Sequence, residues 1–171
     1  MPLPSQQKAR KLDWSTVLQG DQAVQHVSKM EGRALSPKEA RVIQLEGYVP
    51  YTYLDTKNVP TYGVGQTGKW MDKPFSETFA KHEDRARKAI PSYDKLPEYL
   101  QAEIVQAEYR GDLGGSPTFK KLFNKGKYKE AAKEFLNHKE YLDPDTPDQI
   151  KRRIESVAKA VAHYAAGAKG K

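Results

Sequence analysis

The stretch from Ser36 to Gly47 (SPKEARVIQLEG) constrains this chain most, because it marks a helix at both ends and is followed at once by a segment of a different period. Ser36 is a preferred N-cap, Pro37 suits the first helical position, and Glu39 stands three residues after the cap, where its carboxylate reaches back to the cap N–H. Gly47 stops the helix, so it covers about 37–46 and leaves Glu46 in the final turn. Next, YVPYTYLDTKNVPTYGVG alternates Tyr with β-branched residues around the break DTKNVP, the pattern of a short β-hairpin with Asn58 at positive φ in its turn. A capped helix running into a hairpin makes the fold class α+β.

The remainder reads as helical. From Asp21, DQAVQHVSKMEG spaces Val24, Val27 and Met30 three apart and ends near Gly32. Ser76 can cap a helix of about 77–89 that stops at Ile90-Pro91, and Pro97 opens another running to about Arg110. Gly111, Gly114, Gly115 and Pro117 form a break. TFKKLFNKGKYKEAAKEFLNH then carries two short amphipathic helices split at Lys125-Gly126. Thr146-Pro147-Asp148-Gln149 repeats the cap logic and opens a helix to about Ala166, with GAKGK as a frayed tail. Residues 1–20 show no periodicity and form an irregular basic arm with Lys8, Arg10 and Lys11, which leaves 21–171 as the folded domain.

Composition excludes several classes. With no cysteine there is no disulfide framework, zinc ribbon or thiol nucleophile, and the redox compartment stays open. No apolar run approaches a membrane span and the N-terminus lacks the hydrophobic stretch of a signal peptide, so the expectation is a soluble chain without an export signal or transmembrane segment. A net charge of +7 and a mean hydropathy of −0.83 favour polyanionic partners: nucleic acid, an anionic membrane or an anionic cell wall. The four histidines lie at no metal-ligand spacing, so no metal site is expected. Lys120, Lys121, Lys125, Lys127 and Lys129 read as a solvated face or as a patch attracting an anionic wall. Trp14 and Trp70 read as packing or as sugar platforms.

The candidate chemistry follows the capped helix. Glu46 lies at a helix C-terminus, whose partial negative charge disfavours its ionised form, as a general acid needs. Asp55 follows nine residues later and Thr61 fifteen residues later, so two acids and a hydroxyl can face one cleft. Gly63 and Gly65 remove side chains where a bulky polymer such as a polysaccharide would approach. The alternative is plainer: Glu before Gly is common at helix ends, and Asp in a turn usually serves the turn.

Glu46-Gly47, Tyr53-x-Asp55 and Thr61-Tyr62-Gly63-Val64-Gly65 together resemble the signature of the T-even phage lysozyme family, the phage endolysin muramidases. Tyr109, the Gly-rich break, Phe119, GKYKEAAKEFLNH and the segment from Thr146-Pro147 to IKRRIES resemble its second-lobe helices, so the likeness covers about 36–165. Departures are Asn58 in place of a family glycine, Gln66 in place of a frequent histidine, only nine residues from Gly65 to Phe75, and a first 30 or so residues with no clear counterpart.

The resemblance implies a predominantly helical, bilobed lysozyme-like fold, with a small hairpin lobe, a helical lobe and an active-site cleft between them. It implies cleavage of the β-1,4 bond between N-acetylmuramic acid and N-acetylglucosamine in bacterial peptidoglycan, with inversion and with no metal or organic cofactor. Glu46 would be the general acid, Asp55 would stabilise the transition state or activate water, and Thr61 would position that water. Tyr53, Gly63, Gly65, Gln66, Tyr109 and Arg110 are carried over as substrate-binding candidates, and Arg152, or its neighbour Arg153, as the partner of Glu46. The partner is peptidoglycan rather than nucleic acid, and the chain is a monomer or part of a virion or tail assembly. As an endolysin it would move from host cytoplasm to periplasm and wall; a virion-associated enzyme is the other role, and a basic non-catalytic binding module the alternative function.

Overall fold

The protein is described by a computed structural model covering residues 2–169. The chain divides into two compact units, Met1–Lys81 and His82–Lys171. The fold is α+β and lysozyme-like, predominantly helical with one small sheet.

The first unit holds α1 (Gly20–Glu31), α2 (Pro37–Glu46) and an antiparallel sheet of β1 (Val49–Leu54), β2 (Pro60–Gly63) and β3 (Gln66–Thr67), in the order β1-β2-β3. The capping box forms as the sequence dictates: Ser36 Oγ accepts the Glu39 N–H at 3.2 Å and Glu39 Oε1 accepts the Ser36 N–H at 3.1 Å. Asn58 takes φ 60° in the hairpin turn. Ala23, Val27, Val42, Ile43, Val49 and Val64 build the core. The buried stripe of α1 is therefore Ala23 and Val27, four apart, while Met30 is left 56% exposed. In the β1–β2 ladder Tyr53 faces Thr61 and Leu54 faces Pro60, but Val49 faces Gly63, so the register shifts between the two ends of β1.

α3 (Phe75–Ala89) runs through the boundary of the units. Ser76, read as its cap, lies inside it, because the Pro74 carbonyl already accepts the Glu77 N–H at 3.1 Å. The second unit contains α4 (Glu98–Arg110), α5 (Pro117–Asn124), α6 (Tyr128–Phe135), α7 (Lys139–Leu142) and α8 (Asp148–Lys169). α8 packs against α4 and α6, and Leu100, Ile104, Phe119, Phe135, Ile154 and Val161 are buried there. Phe119 meets Phe135 edge-on at 4.9 Å, an arrangement aromatic rings favour. α8 starts where the Pro147 carbonyl accepts the Ile150 and Lys151 N–H groups, two residues after Thr146. It continues through Lys169, so the tail read as frayed is helical up to there and its last two residues lie outside the described part. No described helix is long and apolar enough to cross a membrane.

Candidate active site

Glu46 is the last residue of α2 and is half-buried. The corner after it is tightly specified. Gly47 has φ 75° and ψ −175°, and a side chain there would place Cβ 2.9 Å from the Leu18 carbonyl oxygen and 3.4 Å from Val17 Cγ1. Leu18 pairs with Tyr48 through two main-chain bonds, each 2.9 Å. Glycine is thus required twice at this position, by backbone angle and by the close approach of the N-terminal segment.

β1 then carries the chain from Glu46 to Asp55. Asp55 builds the hairpin turn, as the plainer reading had it: Oδ1 accepts the N–H of Lys57 at 2.8 Å and of Val59 at 2.9 Å. The same residue keeps Oδ2 without a hydrogen-bond partner among the described residues. Thr61, opposite Tyr53 on β2, is buried, and its hydroxyl donates to the Val59 carbonyl at 2.9 Å, leaving oxygen lone pairs to accept. Tyr53 joins the two acids electrostatically. Burial first, then the nearby charges of Glu46 and Asp55, and finally Tyr51, push its phenol up to about 12. Both carboxylates therefore bear on one phenol in the first unit.

Gln66 and Gly63 are engaged with one another and with the rest of the first unit. Gln66 is only 4% exposed, and its amide nitrogen donates to the carbonyls of Trp70 (3.0 Å) and Lys73 (3.1 Å) and to Thr78 Oγ1 (2.9 Å). A side chain so engaged ties the sheet to the start of α3 and offers no donor to a substrate. Its Oε1 fills the space beside Gly63, where a Cβ would come within 2.8 Å, so Gly63 makes room for Gln66. Gly65 is exposed, in the turn between β2 and β3.

In the second unit Tyr109, near the end of α4, meets the His82 ring of α3 at 4.4 Å with the planes tilted by 44°. Arg110 is held by acids: Nε donates to Asp112 Oδ2 at 3.0 Å and Nη2 stands 2.6 Å from Glu140 Oε1. His138 joins this knot, with Nε2 3.3 Å from Asp112 Oδ1 and Nδ1 accepting the Glu140 N–H at 3.2 Å. Asp112, His138 and Glu140 have donor atoms close enough to share a cation, and the Arg110 guanidinium already takes that part. Arg152 is exposed, whereas Arg153 is buried and donates through Nε (3.3 Å) and Nη2 (3.1 Å) to Gln106 Oε1. Of these two neighbouring arginines of α8, Arg153 is thus turned inward and Arg152 faces solvent. Lys121, Lys125, Lys127 and Lys129 are exposed and, with the half-buried Lys120, have no carboxylate within ion-pair distance among the described residues. Trp14 is 68% exposed, and the Trp70 ring lies under Lys81 at 4.8 Å.

The residues that sequence patterns missed are in the first 18. The Arg10 N–H donates to the Thr52 carbonyl at 2.9 Å and its own carbonyl accepts the Leu54 N–H at 3.0 Å. The irregular arm is thus held along β1, and aperiodic segments give no sequence signal for such pairing.

No protein-family model matches the sequence, and no curated protein is similar to it. Among solved structures, the chain is similar to the active form of the P1 phage endolysin Lyz, with a TM-score of 0.61 and 11% identity, over 86% of this chain and 96% of that one. That likeness carries the fold and leaves the chemistry to the residues themselves.

Proposed function

We propose that this protein is a peptidoglycan hydrolase of the T-even phage lysozyme type, cleaving the β-1,4 bond between N-acetylmuramic acid and N-acetylglucosamine. The observation that carries the proposal is the placement of Glu46 and Asp55 on either side of β1, with the buried Thr61 opposite Tyr53 on the neighbouring strand, in a lysozyme-like fold. The P1 neighbour, an endolysin by name, supports the same reading.

In this mechanism Glu46 protonates the glycosidic oxygen. Asp55 Oδ2 and the acceptor lone pairs of Thr61 hold a water on the opposite face of the sugar; Asp55 takes its proton as the oxygen attacks the anomeric carbon. The Thr61 hydrogen is already committed to Val59, which orients the oxygen to accept from that water. Configuration is inverted, because water attacks directly. Tyr53 borders the acids as a substrate contact.

The test is clearing of outer-membrane-permeabilised bacteria and release of muropeptides from purified peptidoglycan. Glu46→Gln keeps the shape and removes the acid, and is expected to lower turnover by about 10²–10⁴-fold. Near wild-type lysis by that variant would overturn the assignment, and NMR of fresh product showing retention would overturn the water-attack mechanism. Salt-sensitive DNA retention without clearing by the wild type would favour a binding module instead. A lytic role late in infection and a role inside the virion both fit this chemistry; finding the protein in purified particles would select the second.

A further inference from the structure

We propose that residues 4–18 are a positioning strap that fixes the strand separating the two candidate carboxylates; its catalytic consequence rests on the hydrolase reading above. Glu46 and Asp55 flank β1, so their separation and relative orientation are set by the path of that strand. β1 is the edge of the sheet, and its pairing with β2 is irregular between Val49 and Tyr53. The partner strand therefore pins β1 well only near Asp55, and an open edge is the least constrained part of a sheet.

The N-terminal segment supplies the missing constraint at both ends. Near Glu46, Leu18 and Tyr48 exchange two main-chain hydrogen bonds, and Leu18 closes over Gly47 so that only a glycine fits. Near Asp55, Arg10 bridges Thr52 and Leu54 on either side of Tyr53. Between these points the Tyr51 hydroxyl is an anchor: it accepts the Asp13 N–H at 3.0 Å and shares a 2.8 Å hydrogen bond with Thr16 Oγ1, while the Arg10 guanidinium covers its ring at 4.2 Å. Further out, Thr52 Oγ1 donates to the Pro4 carbonyl at 2.6 Å, and Ser5 bonds through N–H and hydroxyl to Asp72. These contacts belong to main chain and to polar side chains, of which Tyr51 and Thr52 are buried while Ser5, Thr16 and Asp72 are exposed, so they fix position more than they add apolar burial. Reacting groups displaced by even an ångström lose about 10²-fold in rate, which makes a pinned strand a catalytic requirement.

The experiment uses the full chain. Tyr51→Phe removes the anchoring hydroxyl and keeps the ring; Arg10→Pro and Leu18→Pro remove the N–H bonds to Thr52 and Tyr48 near the two ends of β1. None of these residues has a direct part in the proposed chemistry. Each variant is followed by far-UV circular dichroism, by kcat and KM on peptidoglycan, by the pH–rate profile, and by carbon-13 NMR titration of Glu46 and Asp55. The expected result is a folded protein whose kcat falls about 10-fold or more while KM changes by less than about 3-fold, with a displaced pH profile. The two carboxyl titrations are expected to shift together.

A folded variant with wild-type kcat, pH profile and carboxyl titrations would overturn the proposal. Should the proline variants not fold, Tyr51→Phe alone carries the decision on the same readouts. Should the wild type prove unable to cleave peptidoglycan, the hydrolase reading fails by itself. The titrations then judge the strap: unchanged curves in Tyr51→Phe overturn it, and shifted curves sustain its hold on the acids.

Discussion

Replacing Gly47 by alanine tests how the acid-bearing corner is built. At φ 75° and ψ −175° the residue occupies a region essentially restricted to glycine, which costs any other residue about 1–3 kcal/mol. The new Cβ would meet the Leu18 carbonyl oxygen at 2.9 Å. That atom is main chain and can withdraw only by giving up the two hydrogen bonds between Leu18 and Tyr48, at about 0.5–1.5 kcal/mol each. The sum is roughly 2–6 kcal/mol, or a fall of about 2 M in the urea midpoint at a slope of about 2 kcal/mol per M. Gly32→Ala is the control, since Gly32 has φ 65° with nothing within 4 Å of its added Cβ and should lose only about 1–2 kcal/mol. Urea unfolding followed by circular dichroism compares the two. Lytic turnover of Gly47→Ala, measured where the protein is folded, should also fall, because Glu46 is the adjacent residue. A loss no greater than that of Gly32→Ala, with unchanged turnover, would refute this account of the corner.

Acid stability should depend on Glu39. Burial raises its pKa, but the Arg33 guanidinium and the Ser36 N–H outweigh burial and hold it below the ordinary carboxylate range. A carboxylate with a depressed folded pKa contributes stability above its unfolded pKa of about 4.3 and loses it as pH falls through the folded value. Arg33→Ala should therefore flatten the acid limb of the unfolding midpoint measured against pH. Gln66→Leu should strand the carbonyls of Trp70 and Lys73 and the hydroxyl of Thr78. A cost of at least about 1–3 kcal/mol in thermal unfolding, with KM unchanged, follows; a raised KM without destabilisation would restore the substrate-binding role. Charge reversal of Lys120 and Lys121 should weaken sedimentation with cell walls at low salt, with the difference closing at high salt; no change at low salt would mark that face as merely solvated.

The sequence by itself determined what is local. Ser36, Pro37, Glu39 and Gly47 bounded α2 because capping uses groups within a few residues, and Asn58 set the hairpin turn because left-handed backbone favours asparagine. The positions of Glu46 and Asp55 were legible because both lie at the ends of elements the sequence itself delimits. β3 and α7 were not, since two and four residues carry no period. Tertiary structure alone decided the rest. One residue on a helix is a rotation of about 100°, so only packing of α8 could turn Arg153 inward and leave Arg152 in solvent. Only folding could show that Gln66 spends its amide on Trp70, Lys73 and Thr78, and that an aperiodic, basic N-terminus becomes the partner of β1. Main-chain hydrogen bonding between segments distant in sequence leaves no mark on side-chain pattern, and it is that bonding which holds the strand between Glu46 and Asp55.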